Sequence, residues 1–451
     1  MDLQDQKVLV IGCGISGMGA ARLLSRANAN VILYDENDKR DVEEILGGLP
    51  EGTRAEVILG EWSRIQIREL KLAVISPGVP MDIPMVEQLK ENGVPVWGEV
   101  ELAWQTGRGK VLAITGTNGK TTTTALLGEI VKNDTAESFV VGNIGTAYTE
   151  VAAKTTEDSV IVAEMSSFQL EGIVDFHPVV SAILNISPDH LNRHHTMENY
   201  INAKKRIALN QTEADTCVLN YEDEVTRKFG EEIRSRAFYF SSKRKLAPGV
   251  YLSDDVVYYN DGEKDVPICN ILECNLLGLH NYENIMAAVA CAVAFGIPTD
   301  VIRKTVTEFR AVEHRIEFVT EKNGVVYYND SKGTNPDAAI KGIQAMTRPT
   351  CLIGGGYDKD SSYEDWIRAF DGKVKLLVLI GATREKIAKA ARGCGFEDIA
   401  FADTLEEAVN ICATEAEPGD AVLLSPACAS WGMFTNYEER GKKFKEYVNN
   451  L

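Results

Sequence analysis

Residues 110–131, KVLAITGTNGKTTTTALLGEIV, constrain this chain more than any other stretch. An apolar, β-branched run gives way to the turn Thr115-Gly116-Thr117-Asn118-Gly119-Lys120-Thr121, and Thr122 leads into a helix-forming segment. A strand that breaks on glycines and restarts as a helix turns backbone N–H groups and the positive helix end toward one point, which suits a phosphate. Lys120 has the reach for β- and γ-phosphate oxygens, and the Thr121 hydroxyl suits Mg2+. Ile114 stands where the general phosphate-loop pattern has its first glycine.

The same strand-to-glycine grammar occurs twice more, in KVLVIGCGISGMG from Lys7 and TCLIGGGYDKD from Thr350. With 451 residues the chain exceeds what one core usually supports, so two or three domains are expected. Strand-like runs alternate with amphipathic helical stretches, which argues for parallel α/β sheets. The expected architecture is α/β in three domains: 1–98, Rossmann-like; 99–310, a central phosphate-loop ATPase-like domain with a parallel or mixed sheet; and 311–451, Rossmann-like. In the first domain Gly12, Gly14 and Gly17 satisfy G-x-G-x-x-G, and Asp35 closes the next strand. That pattern fits an NAD-dependent oxidoreductase, a site for another nucleotide, or a structural turn.

The formal net charge of −19 repels nucleic acid and anionic membrane surfaces, so an anionic ligand has to be held by local groups. The nine cysteines form no Cys-x-x-Cys pair and read as reduced thiols, most of them small core residues. MDLQDQKVLVIG enters a strand behind acidic residues, unlike a signal peptide. No apolar run reaches the ~20 residues needed to span a bilayer. A cytoplasmic protein is expected.

Magnesium between phosphates needs more oxygen ligands than one hydroxyl. The next strand-like run, SVIVAE, ends in Glu164, at the kind of sheet edge where open α/β sheets place ligands. A further run, VVSAILNI, leads to Ser187-Pro188-Asp189-His190, where His190 could serve as a metal ligand or an acid–base group.

Collinear motifs along the whole chain resemble the Mur ligases, ATP-dependent amide-forming enzymes of peptidoglycan assembly. They include GCGISG (12–17), SPGVP (76–80), TGTNGKTTT (115–123), GNIG (142–145), EMSSFQL (164–170), NISPDHLNRH (185–194), NAKKRI (202–207), GLHNYEN (278–284), EHRIE (313–317), NDSKGTNPDA (329–338), IGGGYDK (353–359) and SPACASWGMFTNYEERGKKF (425–444). SSFQL, DSKGTN and SPACAS resemble the branch that joins D-glutamate to UDP-N-acetylmuramoyl-L-alanine.

The resemblance implies a UDP-substrate cradle in the first domain, with Gly14, Ile15, Ser16 and Asp35, joined by Gly78, Asn143 and His190. The family's usual Thr-Arg after that aspartate is Glu36-Asn37 here. It implies ATP contacts from Gly116, Thr117, Asn118, Gly119, Lys120, Thr121 and Thr122, with Asn281 and Asn284 toward adenine, and His314, Arg315 and Asp330 from the third domain. Two Mg2+ ions would be held by Thr121, Glu164, His190 and Lys204, the last as a CO2-derived carbamate. Lys120, His190 and Lys204 are the implied catalytic groups. D-Glutamate would meet Lys332, Thr334, Lys359, Ser430, Trp431 and Tyr437; Trp431 and Tyr437 depart from the family's usual residues. A monomer is implied.

Overall fold

The computed structural model describes residues 3–143, 146–276, 278–310, 313–358 and 361–451. Its strands form three sheets. The first contains β1 (Lys7–Ile11), β2 (Asn30–Asp35), β3 (Ala55–Leu59), β4 (Leu70–Ile75) and β5 (Val96–Gly98), in the order β3-β2-β1-β4-β5. All its pairings are parallel. The chain leaves β1 toward one side and returns as β4 on the other, so a crevice opens at their carboxyl ends, under the glycine loop. Gly17 is required there: a Cβ on it would lie 1.8 Å from the Gly12 carbonyl oxygen.

The second sheet has nine strands: β6 (Lys110–Thr115), β7 (Ser138–Gly142), β8 (Val160–Glu164), β9 (Val180–Ile183), β10 (Thr216–Asn220), β11 (Arg236–Ser241), β12 (Gly249–Ser253), β13 (Val256–Asn260) and β14 (Asp265–Asn270). Their order is β14-β13-β12-β11-β10-β9-β6-β8-β7, so the phosphate-loop strand β6 sits between β9 and β8. One feature differs from the sequence expectation, and a second decides between the parallel and mixed sheets it left open. The short strand β7 precedes SVIVAE and closes the edge beside it. At the other edge β12, β13 and β14 pair antiparallel, so the sheet is mixed. Residues 249–270 are joined by connections too short for helical crossovers, and such connections force antiparallel pairing.

The third sheet contains β15 (Glu317–Lys322), β16 (Val325–Asn329), β17 (Thr350–Gly355), β18 (Val374–Ile380), β19 (Ile399–Phe401) and β20 (Ala421–Leu424), in the order β15-β16-β20-β17-β18-β19. Its edge hairpin β15–β16 is antiparallel and the rest parallel. The architecture is thus three α/β sheets, the first and third Rossmann-like and the second the larger, mixed one.

Chain contacts gather into two compact units, Met1–Ile271 with Glu283–Thr307, and Leu272–Tyr282 with Glu308–Leu451. In the first unit one buried cluster runs from Val10 and Leu33 through Val100 and Leu102 to Ala163 and Leu170, so the first two sheets share a core. In the second, Trp366, Leu377 and Leu423 pack on one side of the sheet cluster and Val378, Val422 and Phe444 on another. Of the nine cysteines all but Cys394 are buried. Among the described residues no helix is long and apolar enough to cross a membrane.

Candidate active site

The loop after β6 is braced by polar groups from the segment after β9 and from the helix Met197–Lys205. Gly119 caps the helix Lys120–Asp134 in the left-handed region, at φ +85°. A Cβ there would lie 2.1 Å from Asn284 Oδ1, so conformation and space both demand glycine. Asn185 braces the loop from the end of β9: its Oδ1 accepts from the Asn118 N–H (2.8 Å) and its Nδ2 donates to the Asn118 carbonyl (3.1 Å). Thr117 exchanges bonds with Ser187 and shares a 3.0 Å bond with the Tyr200 hydroxyl. Lys120 curls back, its Nζ donating to the Gly116 and Thr117 carbonyls at 2.9 Å each. Thr121 is half-buried and Thr122 buried on the first helical turn. Asn281 and Asn284 are both buried on the helix Leu279–Phe295.

Lys204 comes from the helix Met197–Lys205 and is not a surface lysine; it is 2% exposed. Its Nζ donates to the Gly116 carbonyl at 2.7 Å and lies 4.8 Å from the centre of the Tyr200 ring. Burial, reinforced by the Lys120 charge, pushes its amine down to about 6. Lys205 turns away to pair with Glu232 at 3.0 Å. Glu164 ends β8 inside the protein: Oε1 accepts from Asn143 Nδ2 at 2.8 Å, while buried Oε2 has no hydrogen-bond partner among the described residues. Such an oxygen is a place for a cation.

His190 lies on the exposed loop after β9, in the left-handed region (φ 52°). Its ring rests 5.0 Å from that of Phe168 and 3.4 Å from the Asp189 carboxylate. The other face of this cluster is closed: His194 is buried against Ser167 Oγ (2.9 Å) and Glu171 (3.2 Å), and burial lowers its basicity. Arg193 spans from Glu171 (2.8 Å) to the Val79 (3.0 Å) and Gly78 (3.4 Å) carbonyls, tying the loop after β4 to this region.

At the N-terminal glycine loop Gly14 is exposed and Ser16 half-buried, and Ile15, 86% exposed, presents a bare apolar side chain. Asp35 turns inward: Oδ2 accepts from the Cys13 N–H (2.8 Å) and Oδ1 from the Asn37 N–H (3.0 Å), with Arg40 3.4 Å away. Its carboxylate therefore fixes the shape of the loop.

In the second unit His314 is buried, its Nδ1 2.9 Å from Asn329 Nδ2, and burial lowers its basicity. A Cβ on Gly441 would lie 2.2 Å from that ring nitrogen. Asp330 accepts from Ser425 Oγ at 2.7 Å; burial lifts its carboxyl to about 6 against the opposing pull of Arg315. The buried Arg315 Nε has no hydrogen-bond partner among the described residues. Lys332 sits 5.6 Å from the Tyr437 ring centre, and Thr334 N–H donates to the Lys332 carbonyl. Ser430 is buried; Trp431 is 52% exposed and meets Tyr357 edge-on at 5.5 Å. Lys359 lies outside the described residues.

Sequence reasoning passed over Asn185, Tyr200 and Arg440. Asn185 and Tyr200 act by bracing the phosphate loop, which requires knowing what lies opposite them. Arg440, 1% exposed, donates to Ser331 Oγ, the Ser331 carbonyl and the Cys428 carbonyl, joining the two polar segments of the third sheet. An arginine four residues into a strongly charged helix gives no such signal.

Three family models match in sequence order: a Mur ligase MurD-like N-terminal domain over residues 6–98, a Mur ligase middle domain over 114–292, and a Mur ligase glutamate ligase domain over 314–428. The chain is 56% identical to a UDP-N-acetylmuramoylalanine–D-glutamate ligase of Lachnospira eligens, over 100% of both chains. It is also 56% identical to the enzyme of that name from Lachnoclostridium phytofermentans, covering 100% of this chain and 99% of that one. The solved UDP-N-acetylmuramate–alanine ligase of Thermotoga maritima has the same fold, with a TM-score of 0.61 at 19% identity over 98% of this chain and 99% of that one.

Proposed function

This chain belongs to the Mur ligase family, and from that premise we propose that it joins D-glutamate to UDP-N-acetylmuramoyl-L-alanine, using ATP, in peptidoglycan precursor synthesis. The precursor carboxylate takes the γ-phosphoryl group of ATP, giving an acyl phosphate and ADP. The D-glutamate amine then attacks the activated carbonyl, the amide forms, and phosphate leaves.

One observation supports this chemistry most directly: an amine held near neutrality, Lys204, is sealed against the phosphate loop. Bringing a carboxylate to a triphosphate requires positive charge, and Lys120 supplies one at the loop. Thr121, Glu164 and His190 offer hydroxyl, carboxylate and imidazole donors for Mg2+, and the unpartnered Glu164 Oε2 fits such an ion. When bound, Mg2+ supplies neutralisation of phosphate charge. A neutral buried amine is also the form of lysine that combines with CO2, so Lys204 is assigned as a carbamate that adds an anionic oxygen donor.

The precursor is assigned to Gly14, Ile15, Ser16, Asp35, Gly78, Asn143 and His190, with the exposed Ile15 as its apolar contact. ATP is assigned to residues 116–122, Asn281, Asn284, His314, Arg315 and Asp330. D-Glutamate is assigned to Lys332, Thr334, Lys359, Ser430, Trp431 and Tyr437; two carboxylates require the cations and hydroxyls in that set. The functional divisions are taken at residues 98 and 310, and the protein as a cytoplasmic monomer.

The test is phosphate release from ATP with UDP-N-acetylmuramoyl-L-alanine, Mg2+ and bicarbonate, comparing D-glutamate with L-glutamate, L-alanine and L-lysine. Release that requires both the UDP substrate and D-glutamate is expected. Release with another amino acid would overturn the acceptor, and no release would overturn the ligase.

A further inference from the structure

The first helix after β5 begins with a carboxylate that the reaction chemistry does not call on. Glu99 is 3% exposed, and burial lifts its carboxyl to about 7. Its Oε1 accepts from Gln169 Nε2 at 2.8 Å, whereas Oε2 has no hydrogen-bond partner among the described residues. Both residues line a cavity of about 10 Å3, with Ser76, Pro77, Phe168 and Gly172 around it. That is room for about one water molecule. Beside the pair the backbones touch: Gly98 N–H donates to the Gly172 carbonyl at 2.7 Å, and a Cβ on Gly172 would come within 2.6 Å of Gly98 Cα.

Gln169 faces two ways. Its Oε1 accepts from the Ser166 N–H (2.9 Å) and Oγ–H (3.1 Å), and its own N–H donates back to Ser166 Oγ (3.2 Å), a complete capping box. This box, opening at Ser166 two residues after Glu164, starts the turn Ser167–Glu171. The turn carries Phe168, which supports His190, and Ser167, which holds His194. The Gln169–Glu99 bond, beside the backbone bond from Gly98 to Gly172, thus connects the end of the first sheet to the segment that shapes the edge of the second.

We propose that Glu99 is a positioning residue for the ligation, holding through Gln169 the turn after Glu164 and so the Phe168–His190 face toward the reactive end of the UDP-linked precursor. The inference rests on the ligase reading above. Its logic is mechanical. A five-residue helix has too little internal bonding to hold its own orientation, and buried side-chain bonds at its first turn fix it.

The experiment compares wild type, Glu99→Ala, Gln169→Glu and the exchanged pair Glu99→Gln/Gln169→Glu by phosphate release, with KM for each substrate. Glutamate at 169 can still form the capping box, and glutamine at 99 can donate to it, so the exchange rebuilds the link with donor and acceptor reversed. Glu99→Ala is expected to lower kcat/KM for the UDP substrate by about tenfold, with KM for ATP within about twofold of wild type. Gln169→Glu, which sets two carboxyls together, should lose at least as much, and the exchanged pair should recover most of it. An unaffected Glu99→Ala, a loss shared equally by ATP, or an exchanged pair no better than Gln169→Glu would each overturn the inference. If Glu99→Ala does not fold, the last comparison decides alone. An inactive wild type would overturn the ligase reading and this inference together; an active wild type without rescue overturns only the inference.

Discussion

Lys204 and Lys120 converge on one oxygen: the Gly116 carbonyl accepts from Nζ of the first at 2.7 Å and of the second at 2.9 Å. Two ammonium groups on one buried acceptor repel, and the more buried one yields its proton first. That is Lys204, brought down to about 6. The phosphate loop therefore carries one positive charge near neutral pH and one reactive amine.

Replacing that amine separates activity from stability. Lys204→Met keeps the buried volume but is expected to lose at least ~100-fold in kcat, and Lys204→Ala to regain a little turnover with a short-chain carboxylate. The native lysine binds fewer protons than the unfolded one between about 6 and the ordinary 10.5, so the wild type gains stability as pH rises through that window. Lys204→Met lacks this slope and should melt higher than wild type at pH 7 in bicarbonate-free buffer. Thermal unfolding and phosphate release check both, and full activity would remove Lys204 from the mechanism.

Gly119→Ala places a methyl group 2.1 Å from Asn284 Oδ1 on a backbone at φ +85°. The conformational cost alone is about 1 kcal/mol, and the displaced asparagine adds to it. Calorimetric titration should show ATP binding weakened by at least about tenfold. Unchanged ATP affinity would show that the loop can relax without cost.

Asp330 gives a pH signature. Its native carboxyl is held at about 6 against an unfolded 3.8, so the folded protein binds the extra proton between those values. Stability falls as pH rises across that window and levels off above it. Asp330→Asn should abolish this slope, on the order of 2 kcal/mol over the window, as read from denaturant unfolding at pH 4, 5 and 6. A slope that survives the substitution would assign it to another group.

Trp431, half-exposed against Tyr357, is assigned to the amino-acid pocket. Trp431→Ala is expected to raise KM for D-glutamate by about tenfold, the scale of one aromatic contact, while KM for ATP holds. An unchanged KM for D-glutamate would place this ring outside the pocket.

Much of this arrangement was readable in the sequence because strand-to-glycine turns are local. Gly17 and Gly119 each stand where backbone or side-chain atoms leave no room for a Cβ, and the motifs containing them announce it. Lys204 was readable only through resemblance, since nothing in NAKKRIAL distinguishes a lysine 2% exposed from its neighbour Lys205. Asn185, Tyr200 and Arg440 were illegible because each acts on a segment distant in sequence. A mixed central sheet was among the expectations, but its antiparallel strands at residues 249–270 were not located, because the alternation of strands and helices elsewhere marks no such edge.

The seam at Gly98 and Gly172 bears on how such enzymes can be recombined. A chimaera cut at residue 98, with its N-terminal part taken from a relative, would inherit one half of two matched contacts: glycine against glycine at 98 and 172, and Arg193 against the carbonyls of 78 and 79. Exchange across this junction therefore works as a set of co-inherited positions, and a transplanted first domain needs residues 172 and 193 to travel with it.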